Sequence, residues 1–181
     1  AKGRCFSAFY PNPIDFSMLD AAASTKDSRS NGTTRILLGN SASETNNHFE
    51  AIDLLAKDPV HDFEVVCPLS YGDMEYGKRV IEYGKAKLGE KFRPITDFMK
   101  PEEYAGVLAG VDAAIMFHKR QQAIHNIIGL LYLGKKVFLK SEVTTYEWLK
   151  SDLGIEVCDA DLLYEQTNIR FSPLDSRLVA K

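Results

Sequence analysis

From Thr34 onward the apolar positions alternate between two rhythms. Short apolar runs at 36–38, 63–67, 92–98, 111–117, 137–139 and 155–157 read as strands. Between them, residues 49–55, 74–88, 101–108, 121–133 and 144–153 carry apolar side chains at helical spacing. Punctuation agrees with this division. Pro101 opens a helix, where a missing N–H costs nothing, and Gly134 and Gly154 follow the ends of two others. Pro94 belongs near a strand start or on an edge strand. Residues 1–34 show neither rhythm and read as a linker or irregular segment, leaving 35–181 as the folded domain.

Strands alternating with helices build βαβ units on a parallel sheet. The predicted fold is α/β, a three-layer, doubly wound, Rossmann-like parallel sheet. In such sheets the ligand lies beyond the carboxyl ends of the strands, where strand order reverses. The loops after the first and fourth strands are expected to flank that point.

Composition narrows the chemistry. The 181 residues carry a formal net charge of -3, which gives no support for nucleic-acid binding through a general positive field. Cys5, Cys67 and Cys158 are widely spaced and form no CxxC pair, so neither a disulfide framework nor a zinc site is expected, and a reducing cytoplasm fits. No run approaches the length of a membrane span. No HExxH or clustered Cys/His pattern predicts a metal, and no GxSxG predicts a nucleophile.

The loop after the first strand, from Gly39 to His48, is built of small and polar residues. It allows close approach of a ligand and leads into a helix N-terminus that can receive phosphate. A plain strand-to-helix turn with Asn46 or Asn47 as N-cap is compatible with that. The loop is neither GxGxxG nor a P-loop, which argues against a dinucleotide epimerase or dehydrogenase. The loop after the fourth strand carries Lys119, Arg120, Gln121 and Gln122 ahead of an apolar helix. Arginine grips phosphate through paired hydrogen bonds; the blander reading is a solvated polar cap. After the second strand, Tyr71 could stack on a base or sugar. A non-catalytic nucleotide-sugar-binding or regulatory module on the same scaffold is the competing function.

Together, Gly39-Asn40-Ser41, Asn46-Asn47-His48 with Ala51, Pro68, Tyr71, and Arg120-Gln121-Gln122 with Ile124 resemble the bacterial N-acetylfucosamine transferases of glycosyltransferase family 56. The resemblance runs from about Arg35 to the sixth strand. It implies the donor-binding, carboxyl-terminal half of a two-domain, B-type glycosyltransferase. It implies inverting, metal-independent transfer of a 4-amino-4,6-dideoxyhexose from a dTDP-sugar, with no cofactor. The implied acceptor is a polyprenyl-diphosphate-linked saccharide at the inner face of the cytoplasmic membrane, reached through a second domain. By carry-over, Asn40, Ser41, Asn47 and His48 line the donor cleft, and Arg120, Gln121 and Gln122 grip the diphosphate; Gly39 and Tyr71 are further candidate donor-binding residues. Two departures stand out. A small residue is usual where His125 stands. The two places that hold glutamates in retaining relatives of this architecture carry Gln121 and Gly129. No residue of this chain is assigned as the catalytic base.

Overall fold

The computed structural model describes residues 15–25, 33–57 and 62–163. Six strands form one sheet: β1 (Thr34–Leu38), β2 (Phe63–Pro68), β3 (Phe92–Ile95), β4 (Ala113–Met116), β5 (Lys136–Leu139) and β6 (Cys158–Asp159). The spatial order is β3-β2-β1-β4-β5-β6, and every pairing is parallel. This is the Rossmann-like, doubly wound α/β arrangement expected from the sequence.

Helices cover both faces, so the strands are apolar on both sides. Ile36, Leu38, Val65, Cys67, Ile115 and Phe138 pack with Ile52, Leu55 and Val80, from α2 (His48–Ala56) and α3 (Met74–Leu88). Leu37, Val66, Ala114, Met116, Val137 and Leu139 face the other way. There they meet Leu108 of α4 (Pro101–Gly110), Ile127 and Leu130 of α5 (Ile124–Tyr132), and Leu149, which follows α6 (Thr144–Glu147). Close approach fixes one contact: a Cβ on Gly84 of α3 would lie 2.6 Å from the Phe92 ring. Pro94 sits on the edge strand, where its lost donor leaves no ladder partner unmet.

Four details differ from the sequence pattern. First, residues read as irregular include a helix, α1 (Phe16–Ser24). Asp15 caps it by accepting from Ser17 N and Met18 N, and Leu19 packs on Gly129 and Leu108. Second, α5 starts at Ile124 rather than Gln121, because Ala123 turns left-handed at φ 55° and leaves Arg120–Gln122 in the loop. Third, β3 stops at Ile95. Fourth, β6 forms at Cys158–Asp159 rather than at 155–157. A π-helical turn at Trp148–Asp152 and the bond from Ile155 N to Leu149 O take up the intervening chain. Cys5, residues 1–14 and residues 164–181 lie outside the described residues.

Candidate functional site

Strand order reverses between β1 and β4, which pair through Leu38 and Ile115. The loops after them therefore flank a crevice at the carboxyl edge of the sheet. Gly39 begins the first loop at φ +67°, and its N–H reaches Ile115 O at 3.0 Å. A Cβ there would come within 2.8 Å of both Asn46 Oδ1 and His48 Nε2, so side-chain atoms fill the space directly beneath the loop.

Asn46 organises that space and is fully buried. Its Oδ1 accepts from Asn40 N at 3.0 Å and lies 3.1 Å from His118 Nε2. Its Nδ2 donates to Ser41 O at 3.1 Å, Ser41 Oγ at 3.2 Å and Ser43 O at 3.3 Å. One amide thus folds the first loop and ties it to the end of β4. His48 is withdrawn under the loop, its Nδ1 3.1 Å from Tyr76 Oη and its Nε2 without a partner. Burial lowers the His48 pKa to about 4, with His118 contributing. Burial does the same to His118, aided by the Arg120 charge, also to about 4. Both rings are neutral at neutral pH.

Above this floor a chain of side-chain hydrogen bonds spans three loops. Asn40 Nδ2 donates to Tyr71 Oη at 2.8 Å. Gln122 Nε2 donates to Asn40 Oδ1 at 3.3 Å, and Thr45 Oγ1 donates to Gln122 Oε1 at 2.6 Å. Backbone contacts reinforce it: Lys119 N to Thr45 O at 2.9 Å, Ala42 N to Tyr71 O at 2.8 Å and Asp73 N to Ala42 O at 2.7 Å.

The helices entering the site are not equivalent. Asn47 and Ala123, both left-handed at φ 55°, are the N-caps of α2 and α5, and neither makes a side-chain cap. At α2 the first turn holds Glu50, which accepts from Asn47 Nδ2 and sets negative charge against the helix end. At α5 the first turn has no acidic residue, and Arg120 and Gln121 stand exposed beside it. The open positive helix end is therefore that of α5.

The structure thus gathers Gly39, Asn40, Ser41, Tyr71 and Gln122 at the crevice, with Arg120 and Gln121 at its rim. Asn47 and His48 lie within the supporting layer, and Gln122 is engaged by Thr45 and Asn40. Beside the crevice, a cavity of about 250 Å³ opens between Asn40, Ser70 and Tyr71 on one side and Ile95, Met99, Tyr104 and Asn126 on the other. Sequence reasoning assigned no site role to Asn46, Tyr104 or Asn126. The signals were an asparagine in the first turn of a largely apolar helix and a helix opened by Pro101 that carries a tyrosine.

Comparison with known proteins adds three results. The profile of the family 4-alpha-L-fucosyltransferase, glycosyl transferase group 56, matches residues 7–167. A glycosyltransferase from Rickettsia africae superposes with a TM-score of 0.65 at 18% identity, over 93% of this chain and 45% of that one. A UDP-forming alpha,alpha-trehalose-phosphate synthase from Burkholderia xenovorans gives 0.58 at 12% identity, over 83% of this chain and 40% of that one. The chain thus spans less than half the length of these two solved structures.

Proposed function

The chain belongs to the 4-alpha-L-fucosyltransferase family, glycosyl transferase group 56, and on that premise we propose that it is the nucleotide-sugar-binding half of a glycosyltransferase. The observation that carries this reading is the uncapped N-terminus of α5 at the strand-order reversal, with Arg120 beside it. Backbone N–H groups without a side-chain cap, the positive end of the helix and an exposed arginine three residues before the N-cap belong to this one loop, a combination suited to a diphosphate. The adjoining cavity has the shape of a place for the nucleoside.

In group transfer from a sugar nucleotide, negative charge grows on the departing diphosphate as the bond from the anomeric carbon to the phosphate oxygen breaks. Donors already aimed at that position stabilise the transition state more than the ground state. The α5 N–H groups and Arg120 fill this role. The buried amide of Asn46 keeps the neighbouring loop from reorganising as charge develops. Deprotonation of the acceptor hydroxyl falls to a group outside this half.

The donor in this reading is a dTDP-linked 4-amino-4,6-dideoxyhexose such as N-acetylfucosamine. The acceptor is a polyprenyl-diphosphate-linked saccharide at the inner face of the cytoplasmic membrane, and transfer inverts the anomeric centre without a metal. Titration calorimetry with dTDP, UDP, GDP and NAD tests the binding half of this proposal. Tightest binding by dTDP, weakened on the order of 10- to 100-fold in Arg120→Ala, supports it. Absence of any nucleotide binding, in this chain and in the longer native chain, overturns it.

A further inference from the structure

The cavity beside α5 contains a polar pair that the diphosphate reading leaves unused. Tyr104 of α4 and Asn126 of α5 meet in its wall, with Asn126 Nδ2 2.9 Å from Tyr104 Oη. Every residue lining the cavity is uncharged: Asn40, Ser70, Tyr71 and the same Tyr104 and Asn126 supply its polar side chains, and the rest is apolar. Asn126 follows Ile124 by two residues, a rise of about 3 Å along the helix. Asn126 thus lies in the first turn of α5, and the cavity it lines with Tyr104 is within reach of the group next to a diphosphate held at that helix end.

We infer that Tyr104 and Asn126 are the specificity-determining pair for the nucleoside of the donor, an inference that rests on the donor-binding reading above. The amide and phenol can bond in two ways, and both leave the same offer. When Asn126 Nδ2 donates to Tyr104 Oη, the phenol hydrogen and Asn126 Oδ1 remain for a ligand. When the phenol donates to the amide oxygen, the amide hydrogens and the phenol oxygen remain. Either way the pair keeps at least one free donor and one free acceptor in the cavity wall. Burial, with Tyr71 nearby, pushes the Tyr104 pKa far above its ordinary value, so the phenol keeps its proton.

A neutral donor–acceptor pair in an apolar wall matches a neutral group that is itself donor and acceptor. The imide edge of a pyrimidine and a sugar hydroxyl both have that chemistry. A nucleoside that fails to complete the pair leaves a desolvated polar group unmet, which is how such sites discriminate.

Calorimetry with dTDP, inorganic pyrophosphate, 2′,3′-dideoxy-TDP and N3-methyl-dTDP, on wild type, Tyr104→Phe, Asn126→Ala and Arg120→Ala, tests this. The expected result is a dTDP affinity about 10-fold weaker in Tyr104→Phe and in Asn126→Ala, about one hydrogen bond. Pyrophosphate affinity should stay at the wild-type value in both and fall only in Arg120→Ala. A purely structural role for the pair would not produce that split. The analogue lacking the recognised group should bind wild type and Tyr104→Phe alike: dideoxy-TDP if the sugar hydroxyl is read, N3-methyl-dTDP if the base edge is read. Should Tyr104→Phe lose its fold, Asn126→Ala carries the same readout. Wild-type dTDP affinity in both variants, with Arg120→Ala weakened, overturns this inference and leaves the donor-binding reading standing. Failure of wild type to bind any nucleotide, in this chain and in the longer native chain, overturns both.

Discussion

His118 and Asn46 stand 72 positions apart in the chain and meet beneath the crevice, His118 Nε2 3.1 Å from Asn46 Oδ1. Because the Asn46 amide nitrogen already faces Ser41 and Ser43, its oxygen must be the acceptor. His118 therefore carries its proton on Nε2. The contact joins the loop after β1 to the loop after β4, the two segments that a ligand at the strand-order reversal would touch together. The local geometry of the crevice depends on this bond more than on any exposed side chain.

Asn46→Ala should accordingly be severe. It deletes the acceptor for Asn40 N–H and His118 and the donor to Ser41, all at buried positions. Stranded buried polar groups cost about 1–3 kcal/mol each, with water entry recovering part. A loss of about 2–4 kcal/mol in urea denaturation is expected. Asn46→Asp keeps the acceptor but sets a buried carboxylate oxygen against Ser41 O and Ser43 O, so it should be no milder than alanine.

The two buried histidines predict an acid-sensitive fold. Their folded-state pKa values are lowered to about 4 from the ordinary 6.5, chiefly by burial. Above 6.5 both states are neutral and nothing is lost. As pH falls from 6.5 toward 4, the unfolded chain takes up protons that the folded chain refuses, and stability declines. The full loss approaches about 3 kcal/mol per histidine. His118→Gln retains an amide donor for Asn46 and cannot titrate. Urea denaturation at pH 7, 6, 5 and 4 should show a smaller decline for this variant, and equal declines would refute the assignment.

The order of strands and helices was legible in the sequence because both sheet faces are covered, which makes each strand a continuous apolar run. Arg120 and Tyr71 were legible as site candidates because loops after the strands of such a sheet carry its ligands. The bonds among Asn46, His118 and His48 were not, since loop side chains pair through three-dimensional contacts that no periodicity records. The start of α5 was missed for a related reason. Gln121-Gln122-Ala123 has ordinary helix propensity, and only the left-handed turn at Ala123 shows that these residues belong to the loop. The π-helical turn after α6 shifted β6 in the same way, by consuming residues that local pattern assigned to a strand.

Gly72 and Gly134 offer a matched test of the interloop clamp. Both have positive φ, +110° and +68°. A Cβ on Gly134 would meet nothing within 4 Å, whereas one on Gly72 would lie 2.5 Å from Ala42 O. Gly134→Ala should cost about 1 kcal/mol, the price of a left-handed alanine. Gly72→Ala adds a backbone collision and must part the loops after β1 and β2, so about 3 kcal/mol or more is expected. Comparable melting temperatures for the two variants would mean that the Ala42–Gly72 contact yields easily.

Ala123 provides the sharpest separation of stability from function. An alanine at φ 55° carries about 1–2 kcal/mol of conformational strain. Glycine removes that strain but widens the unfolded ensemble by about 0.4–1 kcal/mol. Ala123→Gly should therefore leave the free protein as stable as wild type or up to about 1.6 kcal/mol more stable. Its effect on ligand binding has a different origin. The turn at Ala123 sets where the first N–H groups of α5 point, and glycine lets that turn sample other conformations before a ligand arrives. The ordering cost then falls on binding, so nucleoside diphosphate affinity should drop severalfold while the melting temperature of the free protein does not fall. Ala123→Val should behave in the opposite sense. A β-branched side chain at positive φ is strained, so the free protein should lose more than about 1 kcal/mol. If Ala123→Gly binds dTDP as tightly as wild type, the left-handed cap is tolerated strain, and the α5 N-terminus needs no preorganisation from it.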